Sequence, residues 1–375
     1  MHIPFFCFLE GRGEGRIEET GVNGRLMSGS SSTIYRYDQQ HYTQSKKMSI
    51  KKKHQPSPSL LSRKLSVVQS SSYQEESSPF GTAAANIEEE DLNTVLYASC
   101  MKNDSATVVT LLDENPALDK NVKRGRLGST ALFAAALRGN VGIVELLLSD
   151  VNTDVNLARD DGTTPLIIAA QEGFLEVVQM ILRRAGVDVN KAYRGRSPLF
   201  MASYKNHADV VDHLVLHKAD ANQQESEGKL TPLMIAASKG HTRVVTSLLY
   251  ADNIDVNLQD SVGQTALFIA ALHGHSDVLQ ALSVRRDIDG SITRNADSSS
   301  PLQVACMMSH SSDIIATILA TRNTNVHWIN EDGFTAMHIA ENAGVHDVVT
   351  MLGLLGAKSS KLPRKDELCS VCRVM

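Results

Sequence analysis

Thirteen histidines and five cysteines are the side chains of this 375-residue sequence best suited to hold a metal or attack an electrophile. Their spacing decides whether they do. A metal centre gathers ligands at short fixed intervals, as in paired histidines one helical turn apart. The histidines are read here as scattered, with no such pair. Four of them, His207, His241, His275 and His310, return at nearly constant intervals. A residue type that recurs with a fixed beat reads as a structural hydrogen-bonder, because a catalytic group is needed once. Gly125-Arg126-Leu127-Gly128 lacks the lysine and Ser/Thr of a phosphate-binding loop, and no Gly-x-Ser-x-Gly nucleophile turn occurs. Cys100 and Cys306 sit at small-residue positions of apolar segments and read as buried thiols. No catalytic residue, metal ligand or cofactor is expected, and the chain is not expected to be an enzyme.

The composition points the same way. Hydrophobic residues are 42% and charged residues 21%, with a net charge of −5. Nucleic-acid binders usually carry a basic surplus, so no nucleic-acid partner is expected. No apolar run reaches the length of a membrane-spanning helix. The apolar start Ile3-Pro4-Phe5-Phe6-Cys7-Phe8-Leu9 lacks the basic leader and small-residue cleavage site of a secretory signal. Five scattered cysteines are no disulfide framework, and a reducing cytoplasm is the expected compartment.

The elements that position these residues follow from an internal repeat. Thr130-Ala131-Leu132-Phe133-Ala134-Ala135 returns as Thr164-Pro165-Leu166-Ile167-Ile168-Ala169, and again from Ser197, Thr231, Thr265, Ser300 and Thr335. An earlier copy starts at Thr94, and the steps between starts are 36, 34, 33, 34, 34, 35 and 35 residues. A second landmark keeps the same beat: Asn103, Gly139, Gly173, Asn206, Gly240, Gly274, Ser309 and Gly344. Small or turn-forming residues there can end one helix and admit a tight turn. A second apolar stretch follows each landmark, beginning at Val108, Val144, Val177, Val210, Val244, Val278, Ile314 and Val348. Each unit therefore reads as helix, turn, helix, loop. One such pair cannot bury its apolar face alone, and stacked neighbours can.

The period and the Thr-Pro-Leu pattern resemble the ankyrin-repeat family. The resemblance covers about residues 85–358 and implies an all-α solenoid of about eight repeats with β-hairpin-like loops. Residues 1–84, rich in serine, read as a disordered N-terminal region, and 359–375 as a basic, cysteine-containing tail. The family's histidine survives only at His338; Phe133, Ile167, Phe200, Met234, Phe268 and Gln303 replace it. The loop from Ser283 to Ser299 has lost the Asp-x-Asn motif seen at Asp154-Val155-Asn156, Asp188-Val189-Asn190, Asp220-Ala221-Asn222 and Asp255-Val256-Asn257, and it reads as distorted. The stack is expected to be weakest there.

The resemblance also implies function, namely a scaffold or adaptor that binds other proteins through a concave face and loop tips. Periodicity then separates fixed positions from variable ones. The two residues before each landmark vary: Leu137-Arg138, Gln171-Glu172, Tyr204-Lys205, Ser238-Lys239, Leu272-His273, Met307-Met308 and Asn342-Ala343. The first six pairs are the candidate partner-binding residues, with Tyr204, Leu272, Met307 and Met308 suited to anchoring. Arg159, Arg194 and Arg196, with Arg124, Arg126 and Lys229, make the first loop tips basic and suited to an acidic or phosphorylated segment. Asp160, Asp161, Glu225 and Glu227 dilute that field.

Two readings of the C-terminus stay open beside an incidental one. Cys372-Arg373-Val374-Met375 fits a prenylation box, with Cys369 available for a second lipid, and would place an adaptor at a membrane. Cys369 and Cys372 also resemble the opening of a RING finger, which would make the array the recruiting arm of a truncated ubiquitin ligase. The resemblance further implies hydroxylation of loop asparagines that follow a leucine by eight residues, as at Asn156, Asn190, Asn222 and Asn257. Incubation with an asparaginyl hydroxylase is expected to add one oxygen to at least one of the four; peptide mass spectra with all four unmodified would remove this reading.

Overall fold

The computed structural model describes residues 81–358, with side chains from Leu92 onward. Most of the expected region 1–84, and the tail with Cys369 and Cys372, lie outside the described residues. The described residues form sixteen helices in eight antiparallel pairs. The inner members are α1 (Gly81–Lys102), α3 (Ala131–Arg138), α5 (Pro165–Glu172), α7 (Pro198–Lys205), α9 (Pro232–Lys239), α11 (Ala266–His273), α13 (Pro301–Met307) and α15 (Ala336–Ala343). Their outer partners are α2 (Ser105–Glu114), α4 (Val141–Ser149), α6 (Leu175–Leu182), α8 (Ala208–Leu216), α10 (Thr242–Leu248), α12 (Ser276–Ser283), α14 (Ser312–Leu319) and α16 (His346–Leu354). Inner helices pack in series on inner helices and outer on outer, giving two layers over one continuous core.

Local chemistry fixes both ends of each inner helix. The N-cap hydroxyls of Thr130, Thr164, Ser197, Thr231, Thr265, Ser300 and Thr335 each accept from the backbone N–H three residues on, at 3.1–3.3 Å. Each satisfies a donor that the first helical turn leaves open. Pro165, Pro198, Pro232 and Pro301 follow the cap, where a missing N–H is harmless. At the other end all eight landmark residues adopt positive φ, from 55° at Ser309 to 78° at Gly173. That left-handed residue reverses the chain into the outer helix.

Burial then follows the pattern of residue sizes. The inner helices meet through small side chains, with Ala135, Ala170, Ala202, Ala236, Ala270 and Ala305 fully buried. Outer helices fill the layer behind with Ile143, Val178, Leu214, Val245, Leu279 and Ile315. Sequestering each such branched side chain contributes about 1.5–3 kcal/mol. The last pair is the most open: α15 buries only Ala336 and Ala340.

Between repeats the chain forms short fingers rather than strands. Two isolated antiparallel bridges, Arg124 with Ser129 and Tyr193 with Arg196, are the residue of the hairpin-like loops. Backbone bonds join successive fingers: Asp160 N–H donates to the Leu127 carbonyl, Ser226 to Arg194, Ser261 to Gly228, Asn295 to Val262 and Glu331 to Asp297.

A second ladder runs through the loop asparagines. Asn121, Asn156, Asn190, Asn222 and Asn257 each accept, through the side-chain carbonyl, the backbone N–H of the following repeat's aspartate at 2.8–2.9 Å. The Ser283–Ser299 loop departs from its expected distortion. Asp289 keeps the aspartate's place and receives its bond from Asn257, while Ser291 replaces the asparagine and folds onto Asp289. A serine is too short to span the junction. The Gly290 N–H instead donates to the Arg322 carbonyl at 2.8 Å. A β-carbon on Gly290 would lie 2.3 Å from the Thr324 hydroxyl, so close approach at this junction requires glycine.

Two glycines separate backbone strain from packing. Gly173 (φ 78°) and Gly186 (φ 80°) share the left-handed conformation, but a β-carbon on Gly173 would meet the His207 ring at 2.5 Å, whereas Gly186 faces open space. Gly186→Ala is expected to destabilise by about 1 kcal/mol and Gly173→Ala by clearly more. Chemical denaturation of the full chain measures both; equal losses would show that the ring contact carries no weight.

Candidate interaction surface

The variable pairs before the landmarks occupy one face, at the C-terminal ends of the inner helices. Arg138, Lys205, His273, Met307 and Met308 are exposed, and Leu137, Gln171, Glu172, Tyr204, Ser238, Lys239 and Leu272 are half-buried. The residues immediately N-terminal to them are almost all fully buried. The face is therefore the edge at which each inner helix emerges from the core.

Its backbone is held by the next repeat. The ring Nε2 of His207 lies 3.0 Å from the Gln171 carbonyl, that of His275 3.1 Å from Ser238, and that of His310 3.3 Å from Leu272. His241 has the same relation to Tyr204. A carbonyl only accepts, so each Nε2 carries the proton. The periodic histidines thus clamp the first residue of each variable pair, as structural hydrogen-bonders. His213 on α8 and His217 at its C-cap do stand four residues apart, a pair the sequence reading passed over. Their Nδ1 atoms bond the carbonyls of Asp209 and His213, and His213 Nε2 meets Gln179 at 2.7 Å. Among the described residues no group of three or more His, Cys, Asp and Glu side chains is placed to hold a metal. Burial pushes the Cys100 and Cys306 thiols up to about 12, far from a reactive thiolate.

Several charges of the finger tips are paired within the scaffold. Arg159 pairs with Asp161 and stacks 5.2 Å over the Phe133 ring, so it is engaged in its own fold. Arg194 meets Glu227 at 3.5 Å and Lys123 meets Asp160 at 3.1 Å, each pair joining neighbouring fingers. Arg196 is half-buried, with its backbone bonded to Tyr193. Glu225 is buried and accepts from the N–H groups of Glu227, Gly228 and Leu230, capping its own finger.

Sequence reasoning named the residues that replace the family histidine but not what they contact. Arg294 stacks 5.6 Å over Phe268 and pairs with Asp297, repeating the arrangement of Arg159, Phe133 and Asp161. In both cases the arginine follows the phenylalanine by 26 residues, a signal visible only once the stack is known. Gln303, fully buried, accepts from Ser300 N–H and donates to the carbonyls of Trp328 and Phe334. Asn156, Asn190, Asn222 and Asn257 belong to the inter-repeat ladder, so modifying them requires a side chain already bonded to the following repeat.

Positive charge gathers along the middle of the face. Lys205 and Lys239 place their ammonium groups 5.3 and 5.1 Å from the Tyr204 ring centre. His273 stacks on His275 with ring centres 5.9 Å apart. Burial, then the neighbouring His275, His310 and Lys239, hold the His273 imidazole below its ordinary 6.5. Burial does the same to His241, with Lys239 and His275 adding to it.

The unfolded chain therefore binds more protons than the folded one just below pH 6.5. The stability these two histidines contribute is whole above pH 6.5 and lost as pH falls through their folded values. Asp150, Asp252 and Asp287 sit below 3.8 because Lys120, Lys218 and Arg285 bond them, so their share is lost only in stronger acid. Melting temperature is expected to fall in two steps on acidification, and His241→Gln is expected to shrink the first. A flat profile from pH 7.5 to 5 would contradict it.

The sequence matches the family described as ankyrin repeats (3 copies) over residues 73–158, 95–193, 150–225 and 199–294. A search of curated proteins gives no match. Among solved structures the chain is similar to the ankyrin repeat domain of Bcl-3, described as a unique member of the IkappaB protein family, at 21% identity and a TM-score of 0.53. That alignment covers 60% of this chain and 97% of the Bcl-3 domain, and at this identity it shows the fold. Such arrays generally act as non-catalytic modules that bind other proteins. The matched segments together span more than half of the sequence, and the chain belongs to the ankyrin-repeat family.

Proposed function

We propose that this chain is a non-enzymatic cytoplasmic scaffold or adaptor that grips a partner protein on the concave inner-helix face. One observation carries the reading. The six inner helices α3 to α13 are buried almost completely up to the two residues before each turn, where side-chain identity varies from repeat to repeat. A face with a fixed backbone and variable side chains suits recognition, because the scaffold stays rigid while the contacts change. Tyr204, Leu272, Met307 and Met308 supply the larger anchoring side chains along it. Among the described residues no helix is long and apolar enough to cross a membrane.

The test compares two variants of the full chain in affinity capture from an extract of its own cells. Tyr204→Ala combined with Met307→Ala alters the proposed face. Tyr250→Ala removes an equally large side chain, 80% exposed, just after the outer helix α10. Partner recovery is expected to fall at least about tenfold in the first and to hold in the second. Undiminished recovery in the first variant would place binding elsewhere.

A further inference from the structure

The cationic stretch of the inner-helix face has a regular geometry. Lys205, Lys239 and His273 occupy the same position in three consecutive repeats, 34 residues apart at each step. Glu172 holds that position in the repeat before, and Met308 in the repeat after. The run is therefore bounded by an acid on one side and an exposed apolar pair, Met307 and Met308, on the other. Packed helices lie about 8–10 Å apart. An extended chain advances about 3.3 Å per residue, so it covers one repeat in about three residues. Single charges at that spacing match a row of separate carboxylates better than one compact multivalent anion.

The groups around His273 come from every element packed on α11. Lys239 reaches it from α9, His275 from the N-terminus of α12 and His310 from the N-terminus of α14. Helix α13 adds only the buried Cys306 thiol as a titratable group. The charged groups that act on the His273 ring, His275, His310 and Lys239, are cationic or neutral. An anion arriving here relieves their mutual repulsion and favours a proton on the ring.

We propose that Lys205, Lys239 and His273, with Met307 and Met308 beyond them, dock an extended acidic segment of a partner protein, bearing carboxylates at every third residue and then an apolar side chain, and that docking draws a proton onto His273. This rests on the concave-face reading and adds the chemistry of the occupant. Tyr204 lies under the ammonium groups of Lys205 and Lys239 and holds them at the surface. By linkage, a ligand that favours proton uptake is itself bound more tightly in mild acid.

The probe is a short fluorescent peptide with glutamate at every third position and leucine three residues after the last, titrated against the full chain. A counterpart has glutamine in place of each glutamate. The glutamate peptide is expected to bind at least about tenfold tighter than the glutamine one. It is also expected to bind about fivefold tighter at pH 6 than at pH 8. In His273→Gln the two pH values are expected to give equal affinity, and in Lys205→Met with Lys239→Met the preference for glutamate is expected to disappear. Equal binding of the two peptides by the wild-type chain would overturn the proposal, as would a pH difference that survives in His273→Gln. The peptide comparison uses the wild-type chain and holds even where a variant fails to fold. A protein partner lost in the Tyr204 and Met307 double variant, with no glutamate preference in the peptide assay, would keep the concave face and reject the acidic occupant. Retention of that partner would reject the face itself.

Discussion

Everything in this array depends on the reversal of the chain between the inner and outer helix of each pair. That reversal needs one residue in the left-handed conformation, which glycine adopts without strain and asparagine or serine adopts at some cost. The same residue faces the following repeat. Rings from His207, His275 and His310 lie where β-carbons on Gly173, Gly240 and Gly274 would stand. From there each ring reaches a carbonyl two residues before the turn. A single small residue thus sets the helix reversal, the fit between repeats and the anchoring of the surface that meets a partner.

This coupling explains why the interaction surface is both variable and rigid. Backbone positions on it are bonded across the junction, so side chains can change without moving the chain that carries them. Charge follows a related logic. At the finger tips Arg159, Arg194 and Lys123 pair with aspartate or glutamate in the same or the next finger. Lys205, Lys239 and His273 stand at the same inner-helix position in successive repeats, with Tyr204 beneath the two ammonium groups, and there the face acquires its character.

The repeat beat, the helix pairs, the turn residues and the structural histidines could all be read from one sequence, because each recurs in register and leaves a periodic trace. Features that occur once or twice leave none. Gln303 replaces a histidine at one position, and only the placement of Trp328 and Phe334 shows what its amide bonds. Arg159 reads as an exposed tip residue until Phe133, in the preceding repeat, is seen beneath it. Glu225 reads as one more surface acid, yet it turns inward onto three backbone donors. The Ser283–Ser299 loop reads as damaged because its asparagine is gone, and the compensating Gly290 is meaningful only beside Thr324. The His213 and His217 pair shows the opposite hazard, a metal-like spacing in which three of the four ring nitrogens are already engaged.

The asparagine ladder has a mechanical consequence. Repeats touch only their neighbours, so tension between the two ends of the array passes through every junction in series. Asn257 holds its junction by two side-chain bonds, accepting from the Asp289 N–H and donating to the Asp287 carbonyl. One junction later the Gly290 N–H bonds the Arg322 carbonyl and Asn323 bonds Asp289 in that place. The stack is thus a chain of links held by different sets of side-chain and backbone bonds, and each link carries the whole load.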